Sequence, residues 1–138
     1  MYPPELVAPL AKELTDFGFD ELQSPEQVEK AITETPGTTL MVINSVCGCA
    51  ASKARPGAKL AAQSEFKPDN LVTVFAGVHR EATDKAREFL LPYPPSSPAI
   101  ALLKDGKLVH MLERMHIEGA SADLIANNLK KAFEVHCK

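Results

Sequence analysis

The order of apolar, β-branched runs and amphipathic segments in this 138-residue chain predicts an α/β fold, a mixed four-stranded sheet with helices on both faces. Three observations carry this. Two short apolar runs, Thr39–Asn44 and Leu71–Ala76, are separated by an alanine-rich segment, which predicts a parallel pair joined through a helix. Two more runs, Ala99–Leu103 and Leu108–Leu112, close around Asp105-Gly106, a strong hairpin signal. Leu124, Ile125, Leu129 and Phe133 form the apolar stripe of a last helix that Ser121 caps.

Each element follows from its residues. Pro3 and Pro4 suit a first helical turn, and Leu6, Val7, Leu10 and Leu14 recur at helical spacing, so a helix is expected over roughly 3–15 and ends at Gly18. Ser24, followed by Pro25 and by Gln27 three residues on, carries a capping-box signature for a second helix that ends near Thr35-Pro36-Gly37. The strand 39–44 runs directly into a cysteine pair. From Ala50 to Glu65 the alanine-rich segment predicts a helix that Pro56 and Gly57 kink or delay. Glu81–Leu91 predicts another, closed by Pro92, and Pro92–Pro98 a rigid loop. After two leading helices the order is β-α-β-α-β-β-α, which is that of the thioredoxin core, in one domain over 1–138.

Composition narrows the function. A formal net charge of −3 with 24% charged residues supplies no basic field for nucleic acid or an anionic membrane. The start of the chain lacks the basic and apolar regions of a secretory signal, and no apolar run approaches the ~20 residues that span a bilayer. A cytoplasmic protein is expected. Three cysteines are too few for a disulfide scaffold, so their chemistry rather than their number is informative.

Cys47 and Cys49 flank Gly48 where a buried strand passes into a helix. Helix starts leave N–H groups unpaired and carry partial positive charge, which favours the thiolate, the attacking species in disulfide exchange. Lys53 and Arg55 are expected to add positive potential. Gly48 is expected to supply unusual backbone angles that let the two cysteines approach, giving a small, strained and readily reduced ring. The bland alternative is a pair of small core residues. A second alternative is a metal- or iron–sulfur-binding module using Cys47, Cys49 and Cys137 or His136, although no second tight ligand pair is present. A third is an interaction protein of the same fold without turnover.

Ser97-Pro98, just before the third core strand, is expected to hold a cis proline facing the cysteines, with the Ser97 backbone available to an extended substrate. Cys137 is expected to be an exposed bystander, with ligand or accessory resolving thiol as alternatives. His79, His110, His116 and His136 lack metal or triad spacing and are read as surface or packing residues.

Tyr2–Pro9, Val42–Ala50 with its Asn44-Ser45 lead into Cys-Gly-Cys, Val72–Gly77, Pro95–Pro98 and Ile117–Gly119 together resemble the bacilliredoxins over nearly the whole chain. The resemblance implies a thioredoxin-like thiol–disulfide oxidoreductase that removes bacillithiol from mixed disulfides on S-thiolated client proteins, with disulfide isomerase activity as a variant. It implies no bound cofactor: bacillithiol is the exchanging low-molecular-weight thiol. Carried over by position, Cys47 is the attacking thiol and Cys49 the resolving thiol. Ser52-Lys53 departs from the glycine or small residue expected there and alters the charge at the entrance.

Overall fold

The computed structural model describes residues 2–137. Helix α1 (Pro4–Thr15) leads through strand β1 (Asp20–Glu21) and helix α2 (Pro25–Thr33) to strand β2 (Thr38–Asn44). A π-helical turn (Ala50–Ala54) continues as α3 (Arg55–Ala62), followed by β3 (Asn70–Phe75) and α4 (Arg80–Glu88). The chain closes with β4 (Ala99–Lys104), β5 (Lys107–Leu112), α5 (Arg114–Glu118) and α6 (Ala122–His136).

The sheet order is β1-β3-β2-β4-β5, with β1–β3 and β3–β2 parallel and the remaining pairs antiparallel. The four expected strands are joined by a fifth: Asp20 and Glu21 pair with Val72 and Thr73 at the edge. Two polar residues carry no apolar signal, so only this pairing makes them a strand. Asp105 and Gly106 turn the β4–β5 hairpin with φ of 51° and 81°, the positive pair that a type I′ turn requires.

Every residue of β2 is buried, because side chains alternate between two apolar layers. Leu40 and Val42 join Ile100, Leu102, Ala58, Leu129 and Phe133 on the α3–α6 side. Met41 and Ile43 join Val72, Val74, Val28, Ile32, Ala82 and Ala86 on the α2–α4 side. Central placement of β2 therefore buries the strand throughout, and beyond its carboxyl end the chain returns to the surface at Val46, Cys47 and Gly48.

The helix after the cysteines is not uniform. Pro56 lacks an N–H for the Ser52 carbonyl, and its ring would strike that oxygen in a regular α-helix. The preceding turn widens instead, and the Arg55 N–H reaches back five residues to the Ala50 carbonyl. The expected kink is thus a π turn. Gly57 serves packing: a Cβ there would lie 2.6 Å from Ile125 Cγ2, so its absence lets α3 and α6 close on one another.

Local signals behave as their chemistry dictates. Ser24 Oγ accepts from the Gln27 N–H at 3.2 Å, while Gln27 Oε1 returns to the amide of Gln23 rather than of Ser24. Ser121 Oγ accepts from the Leu124 N–H. Helix α4 stops at Glu88, short of the expected Leu91, and two peptide bonds in the region that follows, Leu91–Pro92 and Ser97–Pro98, are cis. No helix among the described residues is long and apolar enough to cross a membrane.

Candidate active site

Asn44 ends β2, and its side chain organises the loop beyond it. Asn44 Oδ1 accepts from the Ser45 N–H at 2.9 Å and from Arg55 Nη1 at 2.9 Å. Arg55 Nη1 also donates to the Ser45 carbonyl at 2.9 Å, and its Nε lies 3.2 Å from Glu13 Oε1 on α1. Arg55 is only 1% exposed. The expectation that Arg55 adds positive potential for the thiol is therefore corrected: its charge is spent inside, clamping the Asn44-Ser45 lead to α1 and α3. Lys53 is likewise engaged, through Nζ to the Glu118 carbonyl on α5.

With the lead fixed, Ser45 Oγ stands 3.1 Å from Cys47 Sγ. The Cys47 carbonyl accepts the first helical N–H groups, those of Ala50 and Ala51, both at 3.2 Å, so Cys47 occupies the helix start. Partial burial pushes the Cys47 thiol up. The Ser45 hydroxyl, the backbone amides of Ala50 and Cys49 and the charge of Arg114 outweigh it, and the thiol sits below its ordinary value.

Arg114 is a residue the sequence reading missed. It opens α5, directly after the hairpin, and its Nη1 donates to the Ser97 carbonyl at 3.0 Å. Its Nε pairs with Glu118 one turn on, and its backbone N–H meets Ser96 Oγ. The only signal in the chain was position, a cation two residues past the end of the second hairpin strand.

Cys47, Ser45, Val46, Ser97, Arg114, Arg87, Tyr2, Ala76 and Gly77 line an open cavity of about 360 Å³. Tyr2 comes from the start of the chain, Ala76 and Gly77 from the end of β3, and Arg87 from α4. Ser97, whose peptide bond to Pro98 is cis, thus lines the same hollow as Cys47, while Pro98 is buried and is not part of the lining.

The two cysteines of the motif face different surroundings. Cys47 borders the cavity, whereas Cys49 packs against the apolar layer between α3 and α6. All three cysteines are free and partly buried. Gly48 is already helical and has no positive φ, which corrects the expectation of unusual backbone angles. Its missing side chain matters for space: a Cβ built there would meet nothing within 4 Å, so the approach to the pair lies open.

Cys137 belongs to another region. Burial raises its thiol, Thr38 is its hydrogen-bond partner, and Asp69 and Lys104 are its charged neighbours. Thr38 begins β2 and Asn44 ends it, so about 20 Å of strand separates Cys137 from the motif. This corrects two expectations. Cys137 is half-buried rather than exposed, and it joins neither a metal set with Cys47 and Cys49 nor a direct exchange with them. Among the described residues no group of three or more His, Cys, Asp or Glu is placed to hold a metal ion. His116, read as a surface residue, caps α5 by accepting the Glu113 N–H on Nδ1.

Comparison with known proteins agrees with this chemistry. Residues 2–137 match the family described as Disulphide isomerase. The chain is 59% identical over 134 residues to the bacilliredoxin of Cytophaga hutchinsonii, covering 97% of this chain and 98% of that one. It is 50% identical over 137 residues to a bacilliredoxin of Halalkalibacterium halodurans, covering 99% and 95%. Among solved structures, thioredoxin from Fasciola hepatica superposes with a TM-score of 0.60 at 20% identity over 86% of this chain and 99% of that one. Mitochondrial thioredoxin 3 of Saccharomyces cerevisiae gives 0.61 at 17% identity over 89% and 98%. At such identities these two establish the fold alone.

Proposed function

Because the chain belongs to the bacilliredoxin family and is a thiol–disulfide oxidoreductase of thioredoxin-like fold, we propose that it removes bacillithiol from mixed disulfides on client proteins. The observation that carries this reading is the Cys47 sulfur at the rim of an open cavity, with Ser45, two backbone amides and Arg114 all favouring its ionised form.

In this mechanism the Cys47 thiolate attacks the bacillithiol sulfur of the client mixed disulfide in line with the bond that breaks. A Cys47–bacillithiol disulfide forms, and the client leaves as thiolate and takes a proton from water. Cys49 then attacks Cys47 and expels bacillithiol, or an external thiol does so and returns Cys47 directly. No prosthetic group enters, since the electrons move between sulfurs. Gly48 keeps the approach clear. Ser97, held by Arg114 and followed by cis Pro98, offers its backbone to the extended client segment. Disulfide isomerase activity uses the same first step on a client's own disulfide, which the description of the matching family favours. We place this activity in the cytoplasm, on a single domain over 1–138.

The test is release of client thiol from a bacillithiolated model protein, compared with the same protein bearing glutathione. Rapid release by the wild type and none by Cys47→Ala supports the reading. Equal release by the two proteins sinks it.

A further inference from the structure

The cavity beside Cys47 carries two arginines and no acidic side chain. Arg114 reaches it from α5, with Nη1 on the Ser97 carbonyl and Nε paired with Glu118, which lies outside the lining. Arg87 reaches it from α4, on the opposite layer, with Nη2 on the Ser96 carbonyl at 3.5 Å. Arg87 forms no ion pair among the described residues, and its Nε is shielded from water without a hydrogen-bond partner. A guanidinium so placed has given up part of its hydration without gaining a carboxylate, and a planar bidentate anion would restore what it lacks.

We propose that Arg87 and Arg114 form an anion subsite that takes a carboxylate carried by the small-thiol half of the mixed disulfide. This rests on the reading that Cys47 attacks that half. The attacked sulfur bonds to Cys47, so the small thiol extends from it into the hollow the arginines border, while the client segment runs along the Ser97 backbone at the rim. The volume, about 360 Å³, is that of a small-molecule site. The step itself is an exchange: Cys47–S⁻ and R–S–S–client give Cys47–S–S–R and client–S⁻, and the subsite acts on R alone. It makes the enzyme selective for acidic thiols over neutral or cationic ones.

The test uses the full chain carrying Cys49→Ser, so that reaction stops at the adduct. Its substrates are one cysteine peptide in mixed disulfide with mercaptoacetate, mercaptoethanol or cysteamine, each in two versions with Asp or Asn beside the peptide cysteine. Adduct formation on Cys47 is followed by mass spectrometry, and each rate is divided by that of the same substrate with dithiothreitol. The expected order is mercaptoacetate, mercaptoethanol, cysteamine, with about tenfold between the first two at low salt and less at high salt. Arg87→Gln reduces that ratio severalfold, and Arg87→Lys, which keeps the charge without the fork, recovers part of it. Should Arg87→Gln fail to fold, the wild-type charge and salt series decides.

A wild-type ratio near one overturns the subsite while adducts on Cys47 leave the exchange reading standing. A ratio indifferent to Arg87→Gln, or a preference that follows the peptide Asp in place of the small thiol, also overturns it. Absence of any Cys47 adduct removes the subsite and the exchange reading together.

Discussion

The Ser45 hydroxyl lies 3.1 Å from the Cys47 sulfur, inside a loop whose backbone is tied to a buried arginine. A hydroxyl at that distance donates to a thiolate more strongly than to a thiol, so it favours ionisation. Ser45→Ala is expected to move the midpoint of Cys47 alkylation to higher pH, measured with iodoacetamide by mass spectrometry. An unchanged midpoint means the hydroxyl does not act on the sulfur.

The same depressed thiol makes stability depend on pH in a fixed direction. A group whose folded value lies below its unfolded one, ~8.5 for cysteine, stabilises the fold fully above the unfolded value and loses that contribution as pH falls through the folded one. Urea unfolding of reduced wild type and Cys47→Ala is therefore expected to diverge as pH rises through that window, in favour of wild type. Convergence on raising the pH contradicts the assignment.

Arg55 is the least exposed charge in the site, and removing it strands the Ser45 carbonyl and weakens the hold on Asn44. Arg55→Met is expected to lose about 2–4 kcal/mol in denaturant titration. Arg55→Lys keeps a charge for Glu13 but cannot span both oxygens and loses less. Both variants should also shift Cys47 alkylation upward, in the direction of Ser45→Ala, because Ser45 is released.

The separation of the three cysteines predicts three different outcomes. Cys47→Ala abolishes release of the small thiol from clients. Cys49→Ser accumulates a Cys47 adduct detectable by intact mass. Cys137→Ser, at the far end of β2, leaves turnover within about twofold. A large loss of turnover in the last variant contradicts the geometry.

Gly57→Ala is expected to destabilise by about 1–3 kcal/mol, since its new methyl would meet Ile125 Cγ2 at 2.6 Å and Cβ at 2.9 Å. Ile125→Ala in the same chain should recover part of the loss beyond additivity, because it removes Cγ2 but neither Cβ nor the Ala122 carbonyl. Strict additivity in a thermal or urea double-mutant cycle would show that the two do not touch.

What the sequence made legible was whatever short-range chemistry decides. Strand β2 could be read because its buried positions include the unbroken apolar, partly β-branched run Leu40–Ile43, and the hairpin because Asp105-Gly106 tolerates two positive φ values. Strand β1 could not, since Asp20 and Glu21 are polar and exist as a strand only through β3. The π turn depends on how one proline's clash is resolved three-dimensionally. In the site, Cys47, Cys49 and Ser97-Pro98 stood out as motifs, whereas Arg87 and Arg114 enter the cavity from elements remote along the chain. Arg55 carried a faint signal. It sits at helical spacing from Ala58 and Ala62 at the edge of an alanine stripe, a position where charge requires a buried partner.

Cys47 and Cys49 stand two positions apart at the start of a helix that passes at once into the π turn, one toward the cavity and one toward the apolar layer, and residues so spaced on a helix look away from each other. Joining their sulfurs is therefore expected to loosen the hydrogen bonds from the Ala50 and Ala51 amides to the Cys47 carbonyl. Amide hydrogen exchange at those two alanines, faster in the oxidised protein than in the reduced one, would register it.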